Sequence, residues 1–445
     1  MDIIITQPIY TTLIFVAIAA VGFIAAIKPE RGFTAVIFLT PFYILRVRNL
    51  SIPTNGLELL IIAAVIGWAF YCLRNKKMFF TADIKILALS GFIIAGGVLS
   101  ALASEPALRL PSLAIFRAFI FEPIIFALAL QAAIKQKIFS SSSIIRAYVF
   151  SASFVALLSL AGALLNHFNN SLFEGFLTYD GRLKGFYLSP NHLAMYLAPA
   201  VPLVIAQAVS RLMSARDPST RISRSGKGFL TLMTLAGLPL ADIFLASIIL
   251  SALFLTKSFG AIAATAIGLW FFATIYFKNR RKLWLEVSAV LVLPLLFLVA
   301  KEAQVLFVDP ERSSLASRLM IWRSALTILR DHHIFGIGPG NFQEYYLAYQ
   351  KYFSPYLEWA VPQPHNLLLA LWLQTGILGV IGFVWLIFNR FKKLVNRLKS
   401  DLNQSDKIIT AAVVSAVVII LMHGLVDTTI WKNDLATMFF VLLNL

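Results

Sequence analysis

ILALSGFIIAGGVLSALA, residues 86–103, contains neither a charged side chain nor a proline. An apolar run of about twenty residues is what a helix needs to cross the roughly 30 Å hydrocarbon core of a bilayer. Water is absent there, so the backbone N–H and C=O groups must be satisfied within the segment, which a helix does. A barrel strand is excluded because polar and apolar residues do not alternate along the run. Leu13–Ile27, Leu57–Tyr71 and Ala411–Met422 share its nearly charge-free character. Working outward, apolar segments fall at 9–27, 32–46, 57–73, 84–103, 113–134, 144–165, 189–210, 229–253, 260–277, 283–301, 365–389, 407–427 and 434–445. Segments 32–46 and 434–445 are short, and either is expected to span or to re-enter. Of 445 residues, 59% are hydrophobic and 13% charged, against about half and about a quarter in soluble domains. The expectation is an all-α, polytopic integral membrane protein with about twelve or thirteen spans. No repeat of fixed period divides it, so 1–445 reads as a single transmembrane domain.

A net charge of +17 would point a soluble protein towards nucleic acid. Here the basic residues sit in short tracts between apolar runs, which speaks for orientation in a lipid bilayer and against a nucleic-acid partner. The tracts are Lys28/Arg31, Arg74/Lys76/Lys77, Lys135/Lys137, Arg211 to Lys227, Lys278 to Lys282 and Arg390 to Lys399. They fall on alternate loops, so the positive-inside rule assigns all of them to the cytoplasm and puts 166–188 and 302–364 outside. By parity the N-terminus is expected outside too. Asp2 is the only early charge, so the first apolar run is expected to stay as a span and not to be cleaved as a signal. One cysteine, Cys72, rules out a disulfide framework.

The longest outer loop, 302–364, is where charge and aromatics concentrate. Leu315, Leu319, Trp322, Leu326 and Leu329 recur at helical spacing, predicting an amphipathic helix over Ser313–Arg330 with Ser313 or Ser314 as its cap. Arg323 and Arg330 share a face of that helix, and Arg318 lies nearer Trp322. Gly336-Ile337-Gly338-Pro339-Gly340 follows. It lacks the Gly-Lys-Ser/Thr of a Walker loop, and reads either as a tight turn or as a nest of N–H groups near a phosphate. Tyr345, Tyr346, Tyr349, Tyr352, Phe353, Tyr356 and Trp359 read either as an interfacial belt or as a sugar-stacking surface. Pro362-Gln363-Pro364-His365-Asn366 then places a histidine at the outer mouth of the next membrane helix.

SRLMIWRSALTILRDHHIFGIGPGNF (317–342) followed by PHNLLLALWLQTGILGVIGFVW (364–385) resembles the signature of the O-antigen ligase and polymerase superfamily. That pattern is an Arg, a Trp shortly after, a glycine-rich turn ending in Phe, and a His-Asn pair opening a helix with Gly-x-x-Gly. Gly181 to Phe186 with Ser189-Pro190-Asn191-His192 resembles a second family motif, and His423-Gly424 with Asp427 a third. The ligase-like region therefore runs over about 181–427. One departure is that Leu255-Thr256-Lys257-Ser258-Phe259-Gly260 has Phe259 where the family often has an arginine. Lys257 is near enough to supply charge, though as a point charge and not a planar fork.

The resemblance implies a metal-independent, cofactor-free glycosyltransferase of the bacterial cytoplasmic (inner) membrane with its site facing the periplasm or exterior. The donor would be an undecaprenyl-diphosphate-linked glycan. The acceptor would be lipid A–core in a ligase, a lipid-linked glycan in a polymerase, or protein in an O-oligosaccharyltransferase. The six histidines are scattered, with no HExxH and no cysteine cluster, in keeping with that. In this reading His365 is the general base and Arg318 clamps the diphosphate. Arg323, Arg182, Lys257, Asn191, Gly338, Gly340, Asn366 and Asp427 contact substrate. Blander roles compete: Arg182 as a loop anchor, Asn191 and His192 as helix caps, and Asp427 and His423 paired with each other or with neighbours. Arg117 and Glu122 are expected to pair within the membrane without an assigned role. The alternative of another class is a polysaccharide or lipid transporter or flippase, which predicts paired inverted repeats and broken helices with ionisable residues at mid-membrane.

Overall fold

The computed structural model describes residues 3–5, 8–47, 54–81, 83–168, 173, 175–216, 240–276, 314–352, 360–400 and 402–445. Apolar segment 283–301, residues 229–239, Ser313, the Tyr352 side chain, Phe353, Tyr356 and Trp359 lie outside this description, as do most of the basic tracts 211–227 and 278–282.

The chain is an all-α polytopic membrane protein. Its helices are α1 (Pro8–Ile27), α2 (Pro29–Phe38), α3 (Gly56–Asn75), α4 (Ile84–Ala103), α5 (Arg109–Phe116), α6 (Glu122–Lys135), α7 (Ser141–His167), α8 (Pro190–Leu197) and α9 (Ala200–Arg216). There follow α10 (Leu240–Leu255), α11 (Phe259–Tyr276), α12 (Ser314–Asp331), α13 (Phe342–Tyr349), α14 (Leu367–Lys399), α15 (Gln404–His423) and α16 (Asn433–Asn444). Among the described residues, seven helices are long and apolar enough to cross a membrane.

Local chemistry sets the helix ends. Asn55 caps α3 by accepting the Glu58 N–H at 3.1 Å, and Lys76 closes it in the left-handed conformation at φ 51°. Ser189, with Pro190 behind it, caps α8 by accepting the His192 N–H. Between α5 and α6, residues Arg117–Phe121 form a π-turn. Pro123 is the second residue of α6, and the wider turn before it accommodates a residue that has no N–H to give.

Segment 32–46 is not a span. The ten residues of α2 would reach only about half the hydrocarbon thickness, and Pro41 sits in the 3-10 turn Thr40–Ile44 that ends the run. Leu45–Val47 (β2) then lies between Ile3–Ile5 (β1), parallel, and Thr54–Asn55 (β3), antiparallel. Segment 407–427 also ends early: α15 stops at His423, and the chain turns through Gly424 to Asp427 before α16. Asn433–Leu443 of α16 are buried throughout, so this short helix is enclosed by protein.

The chain forms two compact units. The first comprises Met1–Ala147, Leu293–Arg390 and Ile420–Leu445, the second Tyr148–Val292 and Phe391–Ile419. In the first, α1 and α3 approach closely because a Cβ on Gly67 would lie 2.8 Å from that of Ala25. Phe33 packs on Trp68 and Phe126 beside them, with centroids 6.0 and 5.4 Å away. Glu58 and Glu122 both pair with Arg117, and Asn433 donates to Glu58, tying α3, the π-turn, α6 and α16. In the second unit the Tyr148 hydroxyl donates to the Tyr196 carbonyl at 2.7 Å, and Arg211 pairs with Asp242 at 3.3 Å.

The buried face of α12 differs from the expected stripe. Met320, Ile321, Ser324, Ala325, Ile328 and Leu329 are buried, whereas Leu319 and Leu326 are exposed. Apolar residues occur on several sides of this helix, so periodicity alone does not choose which side meets Ile337, Phe342, Tyr346 and Leu373.

Candidate active site

In the first unit, two loops far apart in sequence are hydrogen-bonded side by side. The Leu367 N–H donates to the Gly424 carbonyl at 2.7 Å, and the Asn366 amide donates to the Leu425 carbonyl at 2.9 Å. Arg318 Nε donates to the Val426 carbonyl at 2.7 Å. In the same register His365 Nδ1 meets Asp427 Oδ1 at 2.9 Å. The Thr428 N–H holds that oxygen from behind at 2.8 Å. The imidazole is about one-third exposed and Asp427 is buried. Burial by itself would push the Asp427 carboxyl up. The hydrogen bond and charge of His365, with the charges of His423 and Arg318, outweigh it and hold the group below the usual carboxylate range.

Asp427 thus meets a neighbouring histidine, His365. His423 is the last residue of α15 and is related to Asp427 through backbone, the Asp427 N–H donating to its carbonyl. Asn366, expected to contact substrate, has both ends of its amide committed. Its oxygen accepts the Leu369 N–H at 3.0 Å as a helix cap, and its nitrogen ties the two loops. Arg318 reaches back to Ser314 as well as to Val426, so part of its guanidinium positions the loop that carries Asp427. Arg323, five residues on, is exposed on another side of α12, and the structure does not bring it to the Arg318 face.

The glycine run is a tight turn. Gly336, Gly338 and Gly340 have φ of 73°, 91° and 85°, where side chains are strained. The Gly338 N–H donates to Ser100 Oγ at 3.0 Å and the Gly340 N–H to Gln374 Oε1 at 2.8 Å. A phosphate nest needs unengaged N–H groups, and both are taken, so these two glycines shape the site and do not cradle an anion through their N–H groups. The turn fits into a break in α14, where Gly376 adopts φ 63°. The Ile377 N–H there donates to Ile334 O at 3.0 Å, and the Ile337 N–H to Leu373 O at 2.6 Å. The neighbouring aromatics are packed into the protein: Tyr346 is fully buried, Tyr349 donates to Asp331, and Tyr345 lies edge-on to His332.

A second cluster lies within the second unit. Arg182 donates from Nε to Thr256 O and from Nη2 to Asn191 Oδ1, both at 3.0 Å. Lys257 closes α10 in the left-handed conformation at φ 49° and its ammonium reaches the Asp180 carbonyl at 3.5 Å. Thus Arg182, Asn191 and Lys257 are brought together, while Ser189, and not Asn191 or His192, is the side-chain cap of α8. Thr178 donates to Asp180 and, with burial opposing and Arg182 assisting, lowers its carboxyl below the usual value.

Sequence reasoning passed over Gln374 and Gln363, whose amides meet at 2.9 Å. The available signal was a glutamine inside an otherwise apolar membrane helix, which needs a polar partner. Trp322 entered as part of a motif and of the apolar stripe, yet its Nε1 donates to the His365 carbonyl at 3.2 Å.

Fold and site together define a multi-pass membrane protein with a histidine–aspartate pair held at a helix mouth. Residues 244–384 match the family model described as O-Antigen ligase, which supports placing this part of the chain in the O-antigen ligase and polymerase superfamily. The match spans Lys257, Arg318, Trp322, the glycine turn and His365, and stops short of Asp427. A comparison with curated proteins gives no match.

Proposed function

We propose that the chain is a glycosyltransferase that moves a glycan from an undecaprenyl-diphosphate carrier to an acceptor hydroxyl on the outer face of the bacterial cytoplasmic membrane. The observation that carries this reading is the 2.9 Å contact between His365 Nδ1 and Asp427 Oδ1. A carboxylate at Nδ1 favours the tautomer with its proton there, which leaves the Nε2 lone pair to accept one. The acceptor oxygen forms its bond to the anomeric carbon as the hydroxyl proton passes to Nε2, and the carbon–oxygen bond to the diphosphate breaks. Asp427 is the positioning residue and stabilises the imidazolium.

A diphosphate is already a good leaving group and needs positive charge more than a proton donor. Arg318, adjacent to the pair through Val426, is the cation proposed for that part. A role for Arg182, Asn191 and Lys257 in donor binding is a separate proposal, read in the donor KM of Lys257→Ala. The acceptor proposed is lipid A–core, with a lipid-linked repeat or protein as the alternatives. The break in α14 is an observation that favours a transporter, as is the charged Glu58–Arg117–Glu122 cluster at the π-turn. The α14 break is filled by the chain's own Ile334 to Ile337, which weakens that reading.

The test supplies purified protein in EDTA with lipid-linked glycan and each of the three acceptors. Wild type is expected to transfer, and His365→Ala to lose about 10²–10⁴-fold in rate while remaining folded. Wild-type transfer unaffected by His365→Ala removes the general base. Substrate uptake into proteoliposomes without transfer selects the transporter.

A further inference from the structure

His365 holds a left-handed backbone conformation, φ 47°, without being a glycine. Such a conformation costs free energy and persists only where neighbours over-determine it. Two contacts on the residue itself have been described: Nδ1 to Asp427, and the carbonyl to Trp322. A third acts at a distance. Gln374, fully buried in α14, accepts the Gly340 N–H at 2.8 Å and donates from Nε2 to Gln363 Oε1 at 2.9 Å. One carboxamide therefore joins the glycine turn to the strap Val361–Asn366, two residues ahead of the histidine.

The direction of each bond is determined. The Gly340 N–H can only donate, so Gln374 must turn its oxygen to it, and its nitrogen is left to find an acceptor. Only Asn and Gln carry an acceptor and a donor fork on one planar group, and the longer reach is Gln's. The turn is in turn seated on α5, where Ser112 Oγ donates to the Pro339 carbonyl at 2.8 Å and a Cβ on Gly340 would press on Ile115. Gln374 thus transmits the rigidity of a packed turn to a proline-flanked strap.

We propose that Gln374 is a positioning residue for His365: through Gln363 it fixes the strap so that the imidazole stays on Asp427 with Nε2 presented to the acceptor. This rests on the reading of His365 as the base. A misplacement of about 1 Å in such a group lowers turnover by up to about a hundredfold. Substrate binding does not involve the latch, so the loss belongs in kcat and not in the donor KM.

The experiment compares Gln374→Leu, Gln363→Leu and Gln363→Glu in the transfer assay, with His365→Ala alongside. Gln363→Leu alters only the half-buried strap and leaves the Gln374–Gly340 bond, so it decides the matter if Gln374→Leu folds poorly. Expected is a loss of about ten- to a hundredfold in kcat for both leucine variants at unchanged donor KM. Gln363→Glu should retain activity, because a carboxylate still accepts from Gln374 Nε2. The double leucine variant should be no slower than Gln374→Leu, since both act along one path. Wild-type kcat in Gln363→Leu, or equal loss in Gln363→Glu and Gln363→Leu, overturns the latch while an inactive His365→Ala leaves the base in place. Full activity of His365→Ala overturns the base instead.

Discussion

The arrangement around His365 places different demands on side chains that the sequence presents alike. Asp427 and Asn366 are both small polar residues near a helix end, yet one meets an imidazole and the other caps a helix. Asp427→Asn retains the shape but removes the charge that favours the Nδ1–H tautomer. Transfer should fall about 10²–10⁴-fold, measured with the same lipid-linked donor. The same variant separates stability by pH. Asp427's folded carboxyl lies below its unfolded value, so its contribution is fully present above the ordinary carboxylate range of about 3.9 and is lost as pH falls through the folded value. Heat unfolding in detergent should therefore show a gap between wild type and Asp427→Asn that is widest at neutral pH and narrows in acid. A gap that stays constant with pH would count against the charge as its source. Which polar residue met which was not legible locally: the residues concerned stand 62 positions apart.

At the level of elements, most helices were legible because a bilayer demands an apolar run of fixed length, and α3 and α4 fall where those runs do. The exceptions have identifiable causes. Pro41 and the shortness of α2 turned segment 32–46 into a helix, a turn and a strand. The exposed side of α12 was misjudged because Leu319 and Leu326 are as apolar as the residues that pack. The break in α14 was hidden because a glycine in a membrane helix usually signals close packing, whereas Gly376 adopts φ 63° and its Cβ position faces the Phe335 backbone. Gly376→Ala introduces both strain and a clash, so it should destabilise by about 1–3 kcal/mol. Lower thermal stability in detergent checks this; a helix that simply straightens would leave stability unchanged or raised.

For the whole molecule, charge patterning predicts a topology testable without any substrate. In a Cys72→Ser background, a cysteine at Lys76 should react with an impermeant maleimide only after the cells are opened. One at Glu344 should react in intact cells with a permeable outer envelope. The reverse pattern would put the His365 site on the cytoplasmic side and remove the proposed donor from its reach. The sequence by itself determined that the chain lives in a membrane and that residues 317–342 and 364–385 resemble the signature of the O-antigen ligase and polymerase superfamily. Both are properties of composition and order along the chain, summed over local windows. Only the tertiary structure decided that Asp427 meets His365, that the Gly338 and Gly340 N–H groups are engaged by Ser100 and Gln374, and that Asn366 caps a helix. A hydrogen bond forms between atoms about 3 Å apart, and no local period in a sequence states which distant residues will meet that condition.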